Sequence, residues 1–201
     1  MNDTSIIILA AGNSSRFGGT KQLLHFNGKT LLQHAVDEAM EAGAEPVVVV
    51  TGANAKEVAG SINIDKVEVV FNEHWEEGMA SGIVAGVNAA ITYNNNIEKI
   101  IIAVCDQPFI SSSLFHQLYQ TQNEGVQHIV ASAYADTIGT PVLFTQKYFD
   151  ALLSLKGDEG AKKVLLANKD DVATIDFPQG VIDIDTEKDY KDLLDRQKHV
   201  L

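Results

Sequence analysis

A glycine-rich loop near the amino terminus carries residue types suited to binding an anion. Residues 9–21 read Leu-Ala-Ala-Gly-Asn-Ser-Ser-Arg-Phe-Gly-Gly-Thr-Lys. Glycines let backbone N–H groups turn toward a phosphate without a Cβ in the way. Arg16 can grip phosphate oxygens through two parallel hydrogen bonds, and Lys21 can act as a point charge. The loop therefore predicts a phosphate-binding site, against the plainer alternative of a Gly/Ser turn with solvated charges.

Two common phosphate-binding signatures do not fit this chain. The dinucleotide fingerprint G-x-G-x-x-G fails because Ser14 stands where its second glycine would fall. The Walker A pattern fails because the Gly-Lys-Thr at 28–30 has Leu23, and no glycine, five residues before Gly28. The loop is thus predicted to bind phosphate in another way.

Carboxylates in two later segments are candidates for holding a metal ion. Asp106 follows the apolar run 99–104, and Asp183 and Asp185 point to the same side if their segment is extended. Mg²⁺ prefers one or two carboxylates together with phosphate oxygens and water. From the residues alone, Asp106, Asp183 and Asp185 are all candidates for this role. The alternatives are a turn-forming role for Asp106 and helix capping for the other two.

Short apolar runs alternate with longer amphipathic stretches along the whole chain. Strands are predicted at 5–10, 47–50, 67–71, 99–104, 128–133, 141–144 and 172–177. Helices are predicted at 30–41 with Thr30 as N-cap, and at 54–61, 79–93, 111–122, 145–155, 158–168 and 187–198, the last capped by Thr186. Strands separated by helices favour parallel pairing through right-handed crossovers. We predict a three-layer α/β fold with a mostly parallel sheet, as one domain over 1–201, with its site beyond the carboxyl ends of the strands.

Composition excludes several classes of function. The formal charge of −12 argues against binding nucleic acid or an anionic membrane surface. Cys105 is the one cysteine, so neither an internal disulfide nor an all-cysteine zinc site is possible within one chain. The start of the chain lacks the basic region of a signal peptide, and a cytoplasmic location is the default expectation.

The loop resembles the signature L-A-x-G-x-S-x-R-x-G-x-x-K of the molybdenum-cofactor guanylyl/cytidylyltransferase-like family. The matching residues are Leu9, Ala10, Gly12, Ser14, Arg16, Gly18 and Lys21. The resemblance implies a Rossmann-like fold of the nucleotide-diphospho-sugar transferase type and catalytic roles for Arg16, Lys21 and Asp106. Residues 106–108 are similar to the family's metal-binding D-x-P, and residues 183–190 to its D-I-D-T-P-E-D-Y. The resemblance therefore implies Asp106 and Asp183 as ligands of Mg²⁺, with Asp185 as the competitor. Ala11 stands where cytidylyl members of the family carry alanine and guanylyl members glycine. A methyl group there narrows the space beside the base, which favours a pyrimidine by a preference of about 1–3 kcal/mol.

Three further segments resemble the family, with departures. Residues 78–86 are similar to G-M-x-x-S-L-x-x-G, but Gly82 occupies the usual serine position and Ser81 precedes it. Residues 139–144 are similar to G-H-P-V-L-F, with Thr140 in place of histidine, and residues 157–162 to G-D-x-G-A-[RK]. The resemblance implies that Thr140 and Lys162 bind the acceptor. It also implies a set of nucleotide-binding residues: Leu9, Ala10, Ala11, Gly12, Ser14, Arg16, Lys21, Gly78, Ser81 and Gly82.

The reaction that the resemblance implies is transfer of CMP from CTP to the phosphate of a molybdopterin-type cofactor, with Mg²⁺ and release of pyrophosphate. A molybdoenzyme or its maturation factor is the further partner that this implies. Two alternatives stay open. One is a nucleotidyltransferase acting on a sugar or polyol phosphate, and the other is a non-catalytic escort that binds the nucleotide or the cofactor.

Overall fold

A computed structural model describes residues 1–13, 17–62 and 67–198 of the chain. The strands are β1 Thr4–Ala10, β2 His25–Phe26, β3 Lys29–Thr30, β4 Val47–Thr51, β5 Val67–Phe71, β6 Lys99–Val104, β7 Ile129–Tyr134, β8 Thr137–Thr145 and β9 Val172–Asp176. The helices are α1 Leu31–Glu41, α2 Ala55–Ala59, α3 Met79–Tyr93, α4 Ser112–Glu124, α5 Phe149–Leu153, α6 Ala161–Ala167 and α7 Glu187–Lys198.

The main sheet has seven strands in the order β5-β4-β1-β6-β8-β7-β9. β1 lies near its centre and pairs in parallel with β4 and β6. β8 runs antiparallel to both of its neighbours, while β7 and β9 pair in parallel. The predicted three-layer, mostly parallel α/β fold is therefore confirmed.

Apolar side chains on both faces of the central strands explain why helices cover the sheet on two sides. Ile6 and Ile8 belong to one buried cluster with residues of α1 and α4, and Ile7 belongs to a second with residues of α3, α5 and α6. Successive residues of a strand point to opposite faces, so a continuous Ile/Val run supplies both cores. The two helical layers leave the carboxyl ends of β1 and β6 side by side, where the predicted site residues follow.

Several local predictions are confirmed and several need correction. Thr30 caps α1 by accepting a hydrogen bond from the backbone N–H of Gln33 (3.0 Å). The predicted helices 145–155 and 158–168 are shorter: the first is a 3₁₀ turn followed by α5, and the second is α6 alone. The β2–β3 hairpin was not predicted, because two-residue strands carry too little pattern.

The predicted short strand 141–144 is part of the longer strand β8, which forms a hairpin with β7. Ala135 and Asp136 make its turn with φ of 46° and 60°. Two successive positive φ values suit a tight hairpin turn, which sequences usually mark with Asn or Gly. Alanine gives no such signal, so the sequence did not indicate that this strand runs antiparallel to its neighbours. No helix in the described part of the chain is long and apolar enough to cross a bilayer.

Candidate functional site

Lys21 joins two carboxylates that lie far apart in the sequence. Its Nζ donates to Asp106 Oδ2 at 2.6 Å and to Asp185 Oδ1 at 2.9 Å. Lys21 belongs to the short 3₁₀ turn Lys21–Leu23 that ends the glycine-rich loop, and Asp106 follows β6. The exposed fractions of the three side chains are 14%, 20% and 29% in the same order, so the group is partly shielded from water.

The ammonium group of Lys21 stays charged in this setting. Burial opposes the charged form, but attraction and hydrogen bonding from Asp106 and Asp185 outweigh it and raise the pKa of Lys21. A lysine with a raised pKa is a permanent cation at neutral pH and cannot serve as a base. Its chemistry at this site is therefore the neutralisation of negative charge.

Backbone hydrogen bonds bring the carboxyl-terminal segment to the end of β6. The N–H of Ile184 donates to the carbonyl oxygen of Asp106 (3.0 Å), and the buried amide of Gln107 donates to the carbonyl oxygen of Gly180 (3.0 Å). The Ile184 side chain is buried in a small cluster with Phe26 and Leu31. These contacts fix the segment whose carboxylates face Lys21.

Thr186 and Asp189 hold the start of α7 directly after that segment. Asp189 Oδ2 accepts hydrogen bonds from the N–H groups of Asp185 (3.2 Å) and Thr186 (2.7 Å), and Thr186 Oγ1 accepts one from the N–H of Asp189 (3.3 Å). Reciprocal bonding of this kind satisfies N–H groups that a helix start leaves unpaired. The predicted cap at Thr186 is present, and it anchors the backbone of Asp185.

Asp183 lies close to the group but is more exposed than Asp185. The pKa of its carboxyl is raised, first by partial burial and then by repulsion from Asp185 and Asp106. The structure thus gathers all three predicted carboxylates, but the one that shares an ammonium with Asp106 is Asp185, the predicted competitor. No group of three or more His, Cys, Asp or Glu within 1–13, 17–62 and 67–198 is arranged to hold a metal by itself.

Gln22 and Gly52 contact the first part of the glycine-rich loop. The Gln22 amide, 1% exposed, donates to the carbonyl oxygens of Ala10 (3.0 Å) and Gly12 (2.9 Å). Ala11 packs so closely on Gly52 that a Cβ on Gly52 would lie 2.9 Å from the Ala11 Cβ. Gln22 was not predicted as a site residue, because a single amide in a loop carries no spacing signal. Ser14 and Arg16 lie outside the described residues.

The predicted base-binding segment forms the start of α3. Gly78 has φ of +110° and precedes the helix, and Ser81 Oγ donates to the carbonyl oxygen of Gly78 (2.8 Å). Ser81 Oγ also accepts a hydrogen bond from the buried amide of Asn72 (2.8 Å), another residue that the sequence did not indicate. A Cβ on Gly82 would lie 3.8 Å from Leu9 Cδ2, so this turn of α3 packs on the end of β1.

A mostly apolar cavity of about 180 Å³ lies between β6, β8, α3 and α6. The two predicted acceptor-binding residues line it, together with Leu9 and Tyr134. Thr140 Oγ1 donates to Gln107 Oε1 (3.3 Å), and Lys162 Nζ donates to Thr137 Oγ1 (2.7 Å). The pKa of Tyr134 is raised, chiefly by burial, and Asp183 and Asp106 add to the rise.

The fold and this arrangement define a nucleotide-handling α/β protein. A glycine-rich loop follows the first strand, and its Lys21 contacts Asp106, which follows β6, and Asp185, which precedes α7. Residues 6–172 match the MobA-like NTP transferase domain, and the chain belongs to that family of nucleotidyltransferases. Asp183 and Asp185 lie beyond the matched residues.

Individual relatives carry different names. The chain is 33% identical over 179 residues to a nicotine blue oxidoreductase of Paenarthrobacter nicotinovorans, which covers 82% of this chain and 85% of that protein. It is 22% identical over 191 residues to the molybdenum cofactor cytidylyltransferase of Escherichia coli K12, covering 94% and 95%.

Among solved structures, Rv0371c of Mycobacterium tuberculosis H37Rv is 28% identical with a TM-score of 0.82, covering 96% of this chain and 98% of that one. The same mycobacterial protein has also been crystallised in complex with manganese, and that structure matches with a TM-score of 0.78.

Proposed function

We propose that this protein transfers CMP from CTP to the terminal phosphate of a molybdopterin-type cofactor and releases pyrophosphate. The observation that carries the proposal is the meeting of Lys21, from the family's signature loop, with Asp106 and Asp185 at 2.6 and 2.9 Å. Membership of the MobA-like family and the alanine at position 11 support the nucleotide half of the reaction.

The proposed chemistry needs charge neutralisation more than proton transfer. An oxygen of the acceptor phosphate attacks the α-phosphorus of CTP as the bond to the β-phosphate oxygen breaks, so the leaving group is pyrophosphate. The acceptor is already an anion and gives up no proton to a base. Lys21 neutralises charge that builds on the leaving phosphates, and Arg16 of the same loop is proposed to do likewise.

The donor set fits a hard divalent cation. Asp106 and Asp185 already share one cationic group, and two carboxylates with phosphate oxygens and water are the ligands that Mg²⁺ prefers. We therefore propose Asp106 with Asp185 as its protein ligands and Asp183 as the neighbour that adds negative charge. When bound, such an ion draws charge from the triphosphate and helps to align it.

The two sides of the site are assigned to the two substrates. Leu9, Ala10, Ala11, Gly12 and Ser14 of the loop are proposed to contact the nucleotide, as are Gly78, Ser81 and Gly82 at the start of α3. Because Ser81 is already bonded to Asn72 and Gly78, we propose that it helps to shape the base pocket through the backbone of α3. The cavity lined by Thr140 and Lys162 is proposed to take the acceptor, with Lys162 near its phosphate.

An oxidoreductase is the second candidate, because a relative of that name is more similar to this chain than the named cytidylyltransferase is. The single cysteine does not support a redox reaction through a thiol. Cys105, the one cysteine, is buried, and burial together with Asp106 raises the pKa of its thiol to about 12. Such a thiol is unreactive at neutral pH.

The deciding experiment measures pyrophosphate release with Mg²⁺, molybdenum-loaded pterin cofactor and each of CTP, GTP and ATP. Release with CTP above the other donors supports the proposal, and preference for GTP keeps the transferase and overturns the base assignment. If pyrophosphate is released with a sugar or polyol phosphate and not with the pterin cofactor, the proposed acceptor is wrong and the sugar or polyol phosphate takes its place. A parallel assay follows loss of colour of nicotine blue with NADH or NADPH. Colour loss without pyrophosphate release in any mixture favours the second candidate.

A further inference from the structure

Gln22 is a buried polar side chain that touches the glycine-rich loop from its inner side. Its amide nitrogen donates to the carbonyl oxygens of Ala10 and Gly12, at 3.0 and 2.9 Å. It follows Lys21 in the same 3₁₀ turn, so a single local structure places both side chains. Burying an amide is costly unless it is hydrogen-bonded, and here the partners are the carbonyl of Ala10 at the end of β1 and the carbonyl of Gly12 in the loop.

The two hydrogen bonds fix the direction of two peptide groups. The peptide bonds after Ala10 and Gly12 are trans. In a trans peptide the carbonyl oxygen and the following N–H point in opposite directions. Because the carbonyls of Ala10 and Gly12 face Gln22, the N–H groups of Ala11 and Asn13 are directed away from it.

We propose that Gln22 is a positioning residue that holds these two N–H groups toward the triphosphate. The inference rests on the proposed nucleotide binding at this loop. Without the amide, the peptide group between Gly12 and Asn13, which lies beyond the end of β1, can rotate and present its carbonyl oxygen to the anion, which repels it. Holding the peptides before the nucleotide arrives lowers the cost of ordering the loop on binding.

A purely structural role makes a different prediction. In that case Gln22 satisfies two buried carbonyls, and its loss lowers stability without changing anion binding by the folded protein. The distinguishing quantity is therefore the affinity of the folded protein for an anion, together with the response of the two amides themselves.

The variant that tests this is Gln22→Met, which keeps the length of the side chain and removes the donor. Gln33→Met is the matched control, since Gln33 is a half-buried amide on α1 bonded to Asp37 Oδ1 at 2.7 Å. Calorimetric titration with inorganic triphosphate and with CTP and Mg²⁺ is done well below each unfolding midpoint. We expect Kd to rise about 10–100-fold in Gln22→Met and to be unchanged in Gln33→Met. An unchanged Kd in Gln22→Met overturns the proposal.

A measurement on the unaltered protein covers the case in which Gln22→Met does not fold. The amide NMR signals of Ala11 and Asn13 are followed while triphosphate or CTP is added. We expect both signals to shift and both amides to become protected from exchange, and the absence of any response in either amide overturns the proposal. If both respond but no pyrophosphate is released with the pterin acceptor, the proposed reaction is wrong while anion binding at these two amides stands.

Discussion

At the scale of single residues, the proposed function requires Lys21 to interact both with the carboxylates of Asp106 and Asp185 and with the phosphates of the nucleotide. Its ammonium group neutralises Asp106 and Asp185, which would otherwise repel each other across a partly shielded site. In the proposed reaction, a triphosphate at the adjacent loop brings more negative charge than the two carboxylates hold. We therefore expect the ammonium group, on its flexible four-carbon stem, to move toward the phosphates and leave the carboxylates to bind a metal ion.

Replacing Lys21 with methionine should lower turnover by about 10²–10³, the usual effect of deleting one preorganised electrostatic donor. The measurement is the rate of pyrophosphate release at saturating CTP and acceptor. Lys29→Met is the control, because Lys29 is an exposed surface lysine paired with Asp37. Turnover in Lys21→Met equal to that of the unaltered protein would remove Lys21 from the mechanism.

The two carboxylates of the carboxyl-terminal segment can be separated by a matched pair of substitutions. Asp185 shares the ammonium group with Asp106, whereas Asp183 is more exposed. With CTP present, Asp185→Asn should weaken Mn²⁺ binding by about 10–100-fold, and Asp183→Asn should weaken it less. Electron paramagnetic resonance of free Mn²⁺ measures both. The reverse order would return the metal to Asp183, the ligand that the sequence favoured.

What the sequence predicted at this scale depended on charge and position. That Lys21 and Asp106 meet was predictable, because each follows a buried strand and parallel strands end at one edge of the sheet. The roles of Gln22 and Asn72 were not predictable, because they come from burial beneath a loop and beside a helix start. Nothing in the spacing of an isolated amide distinguishes it from a solvated one.

At the scale of elements, α3 approaches the sheet through small residues. Gly82 and Gly86 lie one turn apart and are both buried. A Cβ on Gly86 would come within 2.5 Å of Ile7 Cγ2 and 3.1 Å of Val50 Cγ2, whereas a Cβ on Gly82 would meet its nearest atoms at 3.8–3.9 Å. The close approach of α3 is therefore set at Gly86, and the departure from the family's serine at Gly82 is not forced by lack of space.

Alanine substitutions at these two glycines should have opposite effects on stability. Gly86→Ala forces α3 away from β1 and should lower the free energy of unfolding by about 1–3 kcal/mol. Gly82→Ala makes only ordinary contacts and should be neutral or stabilise by up to about 1 kcal/mol through helix propensity. Urea unfolding followed by circular dichroism gives both values. Equal losses at both positions would mean that the helix is not held at Gly86.

Helices and strands were predicted less well where the local sequence pattern did not indicate the contacts that the chain makes in the fold. The strands around β1 were predictable because long Ile/Val runs need two covering layers. The direction of β8 was not, because its turn at Ala135 and Asp136 lacks the residues that usually mark a hairpin. The helix predicted at 145–155 shortened because residues 146–148 form a 3₁₀ turn instead.

At the scale of the molecule, the last part of the chain returns to complete a site that the first part begins. Lys21 and Asp185 are 164 residues apart in sequence, and the segment that carries Asp185 is held by Asp106, Gln107 and the cap of α7. The sequence indicated the carboxylates of this segment but could not choose between them. That choice depends on a long-range backbone hydrogen bond from Ile184, which no local pattern encodes.

The far end of the sheet depends on a single carboxylate, Asp171, which joins the ends of three strands. It accepts hydrogen bonds from the N–H of His128 before β7 (3.0 Å), and from Lys147 Nζ and Tyr148 Oη after β8 (both 2.7 Å). Although burial alone would raise the pKa of Asp171, these bonds lower it from 3.8 to about 2. The charged form therefore stabilises the folded state.

Asp171→Asn should accordingly lower the free energy of unfolding at pH 7 by about 1–3 kcal/mol, since it weakens hydrogen bonds to a charged group. A depressed folded pKa contributes stability that is complete above pH 3.8 and is lost as pH falls toward about 2. The difference between Asp171→Asn and the unaltered protein should therefore shrink across that interval. Asp170→Asn, at the exposed neighbouring position, should change little at either pH. Urea unfolding at pH 7 and pH 3 decides the matter: a constant difference between the two proteins would show that the charge of Asp171 does not hold this edge of the sheet.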